Sequence, residues 1–207
     1  MTVALSNSHT RSMNLADILT ASRLFMAPVF FIVFMWGEAL GLPVPAVVSI
    51  LWALFILIEL SDMFDGLAAR KMKTVSAFGK LFDPFADVFA RLTYFVCFAF
   101  SGIMPLWIFL LIIYREFSQL FLRQLIAEMG VAMGARIGGK IKAVFYMLSG
   151  AASLVLWSLQ ALGLFLDSID VLSVVVTVIY YIAAALALGS FIDYIGQFRK
   201  INGTRTK

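Results

Sequence analysis

The sequence predicts an all-α, polytopic integral membrane protein with six transmembrane helices. Three observations lead there. Of 207 residues, 62% are hydrophobic and only 14% charged, whereas soluble domains are about half apolar and a quarter charged. Six segments reach or approach the roughly 20 apolar residues that a bilayer-spanning helix needs. Lys and Arg are confined to the termini, to alternate connections between those segments and to the helix halves beside them.

In chain order the spans are "ILTASRLFMAPVFFIVFMW" (Ile18–Trp36) and "VPAVVSILWALFILIEL" (Val44–Leu60), followed by a third that starts in a polar stretch and continues as "VFARLTYFVCFAFSGI" (Val88–Ile103). The others are Pro105–Gly130, Lys142–Leu166 and Val171–Gly196. Gly and Pro mark the gaps at "GLP" (Gly41–Pro43), "SGIMP" (Ser101–Pro105) and "GVAMGARIGG" (Gly130–Gly139), as turn chemistry requires. Before the first span, "MNLADILTASR" suits either a short interfacial amphipathic helix or the polar end of a continuous first helix. The length fits a single domain over 1–207, without inverted repeats.

The odd-numbered connections carry no Lys or Arg, and all sixteen basic residues lie at the termini, the even-numbered connections or the helix halves beside them. The positive-inside rule then makes both termini cytoplasmic, in a plasma or bacterial inner membrane. The net charge of +4 belongs to those loops, so no nucleic-acid partner is expected. No cleaved signal peptide is expected either, because the first apolar run begins only after about twenty residues and no small-residue cleavage site follows. One Cys (Cys97) and one His (His9) exclude an intrachain disulfide and disfavour thiolate or imidazole metal centres.

The polar stretch is "SDMFDGLAARKMKTVSAFGKLFDPFADVFARL" (Ser61–Leu92). Asp62 and Asp65 are three apart, Asp83 and Asp87 four apart, so each pair shares a helical face. The helices are antiparallel neighbours, which sets the pairs at similar depth. An Asp within a spanning helix costs roughly 2.5–3.5 kcal/mol, and four together repel, so the cluster needs counter-charge. Basic side chains can supply it. Divalent Mg²⁺ or Mn²⁺ does so with the oxygen ligands these ions prefer, and four carboxylates suit a two-metal site for phosphoryl transfer. Taken alone, Asp62 and Asp65 fit solvated helix-end carboxylates equally well.

Asp62, Asp65, Gly66, Ala69, Arg70, Gly79, Asp83 and Asp87 together spell D-x2-D-G-x2-A-R-x8-G-x3-D-x3-D. With each residue type near one in twenty, chance gives this at about 10⁻⁹ or less per window. The pattern resembles the signature of the CDP-alcohol phosphotransferase family, six-span membrane enzymes that move a phosphoalkyl group from a CDP-linked donor to an alcohol and release CMP. The resemblance implies that Asp62, Asp65 and Asp83 ligate two divalent cations, Mg²⁺ or Mn²⁺. Asp87 is implied as fourth carboxylate and as general base on the acceptor hydroxyl. Asp62, Gly66, Ala69, Arg70 and Gly79 are implied to bind the donor: the glycines and Ala69 admit the nucleotide to the backbone, and Arg70 suits its diphosphate. Arg70 also fits a topology anchor.

Arg115 and Arg123 lie inside the fourth span, and "ARIGGKIKAVFYM" adds Arg136, Lys140 and Lys142. Intramembrane charges usually face a polar cavity, so Arg115, Arg123, Lys140 and Lys142 form a candidate acceptor-phosphate site; positive-inside anchoring is the other reading of the lysines. "RE…LR…AE.G…GK.K" and "NLADILTASRLFMAPVF" (with Asn14, Thr20, Arg23 and Pro28) are similar to phosphatidylglycerophosphate synthases, the likeness running from Asn14 to Met147. That implies CDP-diacylglycerol as donor, sn-glycerol 3-phosphate as acceptor, and a homodimer through membrane helices among lipids. Three positions depart from the pattern. Val88 stands where a Lys is usual, with Arg91 one turn from Asp87 and able to reach it; Ala143 and Tyr146 replace a Thr and a Gln. Phosphatidylinositol-phosphate synthase, or another acceptor, therefore stays open. A small cation transporter is a further alternative, although its sites belong nearer the midplane.

Overall fold

A computed structural model describes residues 15–72, 77–130 and 137–205. Among these residues there are six α-helices and no strand: α1 Leu15–Trp36, α2 Val44–Met72, α3 Ala77–Phe100, α4 Leu106–Glu128, α5 Ile137–Ala161 and α6 Ile169–Arg205. Of the two readings of the first segment, the continuous helix holds from Leu15 onward. The helices exceed the apolar runs because polar flanks continue the same hydrogen-bonding ladder. α2 carries on through the first aspartate pair to Met72, and α3 starts before the second pair. At 37 residues and 1.5 Å per residue, α6 is roughly 55 Å long. That is well beyond a hydrocarbon core of about 30 Å.

The connections without Lys or Arg share one stop signal. After α3, Gly102 N–H bonds the Ala99 carbonyl at 3.2 Å and Ile103 N–H bonds the Phe98 carbonyl at 3.0 Å. This is the Schellman pattern, which places its glycine at positive φ; Gly102 has φ +77°. The turns at Gly41 and Gly163 repeat both bonds. Pro105 then opens α4 in an extended conformation. These caps satisfy helix-end carbonyls within very short loops, so consecutive helices return antiparallel.

α3 is the hub, packed against α1, α4 and α5, while α2 lies on α1 and α5, and α6 on α4 and α5. Its buried aromatic face holds Tyr94, Phe95 and Phe98. Around it stand Phe30 of α1, Phe55 of α2, Tyr146 of α5 and Tyr180 of α6, in edge-to-face contact with one or more of those rings. Gly150 lets α5 come this close: a Cβ there would lie 2.8 Å from the Phe55 ring and 3.0 Å from Tyr94. Hydroxyls stitch the rest, with Ser153 bonding Tyr180 at 2.7 Å and Trp52 Nε1 donating to Ser158 at 3.1 Å.

Outward the bundle is apolar: Phe25, Ile32, Leu57, Phe121, Val171 and Ile192 are all exposed. Three helices hold stretches long and apolar enough to cross a membrane, Val44–Ser61, Ile137–Ala161 and Ile169–Ile201. α1 contributes a shorter apolar run, Thr20–Trp36. α3 and α4 are interrupted by charged residues, among them Asp87, Arg91, Arg115 and Glu116.

Candidate active site

The backbone of Asp62, Asp65, Gly66, Ala69 and Arg70 lies in α2, and that of Gly79 in α3. Their side-chain positions lie outside the described residues, as does Arg136 altogether. The second aspartate pair is described. Asp83 and Asp87 stand one turn apart on α3, both half-buried.

Asp83 is tied to α1. Thr20, fully buried, donates its hydroxyl to Asp83 Oδ1 at 2.8 Å. Arg23, one turn further and also buried, approaches the same hydroxyl oxygen at 3.5 Å. Asp87 is tied along its own helix. Arg91 grips it with a two-pronged fork, Nη1 to Oδ2 at 2.9 Å and Nη2 to Oδ1 at 2.8 Å. The contact anticipated one turn from Asp87 is therefore present, while Val88 is buried against the bundle. Arg91 keeps 6% of its side-chain exposure and Asp87 keeps 29%, so the cation is the sealed partner and the carboxylate the reachable one.

The basic candidates separate. Arg115 and Lys142 are buried; Arg123 and Lys140 are exposed. Residues two apart on a helix point about 200° from each other, so Lys140 and Lys142 do not face one cavity. Arg123 instead meets Tyr194 of α6. Arg115 spends its donors on three partners: Nε on the Ala187 carbonyl at 3.1 Å, Nη2 on Ser190 Oγ at 2.8 Å, and Nη1 on Glu116 Oε1 at 2.7 Å.

Glu116 completes the arrangement. Its Oε1 also accepts from Lys142 Nζ at 2.8 Å and from the Tyr146 hydroxyl at 3.0 Å. One carboxylate thus sits between two buried cations, leaving an excess positive charge that suits an anionic ligand. The Tyr146 ring lies under both sides, with Lys142 Nζ 4.8 Å and Arg91 Cζ 5.7 Å from its centroid. Sequence reasoning did not single out Glu116 as a site residue. The signal was available, since a carboxylate mid-way along an apolar helix demands a partner just as an arginine does. Glu59, which accepts from Tyr94 OH at 3.0 Å, was passed over in the same way.

The site therefore unites an acidic face on α3 with a buried basic cluster on α4 and α5. Carboxylate oxygens backed by Thr20 fit a hard divalent cation: Thr20 holds Asp83 Oδ1, in the manner of outer partners that orient metal ligands.

The model of the CDP-alcohol phosphatidyltransferase family matches residues 13–189. The chain belongs to this family. Among curated CDP-alcohol phosphatidyltransferases, it is 39% identical over 193 residues to the CDP-diacylglycerol–glycerol-3-phosphate 3-phosphatidyltransferase of Treponema pallidum (strain Nichols), covering 90% of this chain and 89% of that one. It is 32% identical over 197 residues to a probable phosphatidylglycerophosphate synthase of Mycobacterium tuberculosis (strain ATCC 25618 / H37Rv), covering 94% and 87%. It is 33% identical over 137 residues to the Bacillus subtilis (strain 168) CDP-diacylglycerol–glycerol-3-phosphate 3-phosphatidyltransferase, covering 62% and 70%. The match to the CDP-alcohol phosphatidyltransferases takes in α1 through most of α6, including every residue of the network above except Ser190 and Tyr194, which lie beyond it.

Proposed function

We infer that this protein transfers the phosphatidyl group of CDP-diacylglycerol to sn-glycerol 3-phosphate, forming phosphatidylglycerophosphate and CMP. The Treponema pallidum relative named for that reaction aligns with nine-tenths of the chain. The geometric observation that carries the reading is the junction of the Asp83–Asp87 face with the buried Arg115–Glu116–Lys142 cluster.

Asp62, Asp65, Asp83 and Asp87 would hold two divalent cations, Mg²⁺ or Mn²⁺, which when bound neutralise the donor diphosphate. Gly66, Ala69, Gly79 and Arg70 line the donor side in this reading. The glycerol hydroxyl oxygen attacks the phosphorus that bears the diacylglycerol, and the P–O bond to CMP breaks. Asp87, half-open and held by Arg91, takes the hydroxyl proton on a carboxylate oxygen. Lys142 and Arg115 supply the positive field for the acceptor's phosphate, with Arg123 and Lys140 further out guiding its approach.

All six helices span the bilayer in this account, with both termini and the site cytoplasmic; the one-sided distribution of Lys and Arg supports it. The lipid tails then lie in hydrocarbon and the cytidine in water. Trp107, Leu110, Tyr114, Phe117 and Phe121 are exposed along α4 at alternating three- and four-residue spacing. That stripe supports a homodimer through membrane helices, with lipid over the remaining apolar surface.

The test is a panel of acceptors offered with CDP-diacylglycerol and Mg²⁺ or Mn²⁺ in detergent, scored by lipid product. Glycerol 3-phosphate should outperform inositol 1-phosphate, phosphatidylglycerol, serine and choline. Preference for serine or choline would overturn the basic-cluster argument.

A further inference from the structure

We propose that Tyr146 is a positioning residue that aligns the proton-accepting side of the site with its phosphate-holding side. The proposal rests on the reading above and deepens it. Tyr146 is fully buried on α5, and two cations share its ring, Lys142 Nζ at 4.8 Å from the centroid and Arg91 Cζ at 5.7 Å. Both distances fall within the reach of a cation–ring attraction, which strengthens where water is excluded. The hydroxyl donates to Glu116 Oε1 at 3.0 Å, the oxygen that also receives Lys142 and Arg115. The far face of the same arrangement is Arg91, whose fork fixes both oxygens of Asp87.

Each contact has a separate consequence. The ring attracts both cations, which offsets part of their mutual repulsion in a low-dielectric interior. The hydroxyl fixes the Glu116 carboxylate, and through it the ammonium of Lys142. α5 thereby sets the distance between the group that receives the hydroxyl proton on α3 and the charge that anchors the phosphate on α4 and α5. A reacting geometry that depends on this distance loses rate when the ring is lost, even though Tyr146 touches no substrate.

The experiment compares Tyr146→Leu and Tyr146→Phe with wild type in detergent, each shown folded by its thermal transition. Tyr146→Leu should raise the KM for glycerol 3-phosphate about tenfold and lower kcat about tenfold, the scale of desolvated cation–ring contacts. The KM for CDP-diacylglycerol should stay within about twofold, as expected of an interaction absent from the donor side. Tyr146→Phe keeps the ring and should recover part of both losses. Independently of turnover, the rise in thermal transition that glycerol 3-phosphate gives the wild type should shrink in Tyr146→Leu. Donor and acceptor KM moving together, or Phe no better than Leu, would overturn the proposal and leave the proposed function standing. A wild type without glycerol 3-phosphate-dependent CMP release would instead overturn the proposed function.

Discussion

At the scale of single residues, the polar side chains of this interior are held in pairs and triads. Thr20 offers the clearest case for a supporting role. Thr20→Val removes the donor to Asp83 Oδ1 without changing volume, and loss of such an outer partner typically weakens metal binding by about tenfold or more. The Mg²⁺ or Mn²⁺ concentration giving half-maximal CMP release should rise accordingly; an unchanged titration would place Thr20 outside the metal site. Glu116→Gln is a stability experiment. It leaves Lys142 and Arg115 buried beside a neutral amide, and breaking a buried ionic pair from one side costs about 3–5 kcal/mol. Thermal unfolding in detergent should show a fall of that order. Much of this chemistry was legible in the letters. The aspartate spacing, the pairing of Arg91 with Asp87 and the burial of Arg115 and Lys142 follow from helical geometry and the cost of lipid-embedded charge. The separation of Lys140 from Lys142 also lay in the sequence, in their two-residue spacing. The sharing of one Glu116 oxygen by three donors did not, because it depends on the mutual rotation of α4 and α5.

At the scale of helices, the small residues decide how closely the elements meet. Gly150 is enclosed by Phe55 and Tyr94, so Gly150→Val must push α5 away from α2 and α3, and overpacking of this kind costs about 1–3 kcal/mol. Gly189 on α6 has nothing within 4 Å of its would-be Cβ; Gly189→Ala should leave stability unchanged or raise it by up to about 1 kcal/mol through helix propensity. Thermal unfolding of the two variants side by side checks the packing account, and equal effects would contradict it. The apolar runs predict the spans, and α3 starts within the aspartate motif as expected, with Pro84 inside the helix. The end of the sixth span differs: α6 continues well past Gly196, because backbone hydrogen bonding extends the helix through residues whose polarity suggests a boundary.

At the scale of the whole molecule, the bundle buries Arg23, Arg91, Arg115, Glu116 and Lys142 among its helices and presents apolar side chains outward. The three connections without Lys or Arg close at glycine caps. The helices that carry the acidic and basic clusters, α3 and α5, begin at the opposite end. This arrangement predicts sidedness. Cys97 is buried and should be silent toward a membrane-impermeant maleimide, which leaves introduced cysteines readable. Ser101→Cys should label in intact cells, and Arg199→Cys only after permeabilisation; the reverse pattern would invert the topology.

The claim on which the rest depends is that the α3 carboxylates perform metal-dependent transfer from a nucleotide-activated lipid to glycerol 3-phosphate. The most direct measurement is CMP release from CDP-diacylglycerol by purified wild type and Asp87→Asn, with and without chelation of divalent ions. Wild type should release CMP only when glycerol 3-phosphate and Mg²⁺ or Mn²⁺ are both present, and Asp87→Asn should lose at least about a hundredfold in rate, as removal of a general base does. Full turnover by Asp87→Asn, or release that survives chelation, would contradict the account.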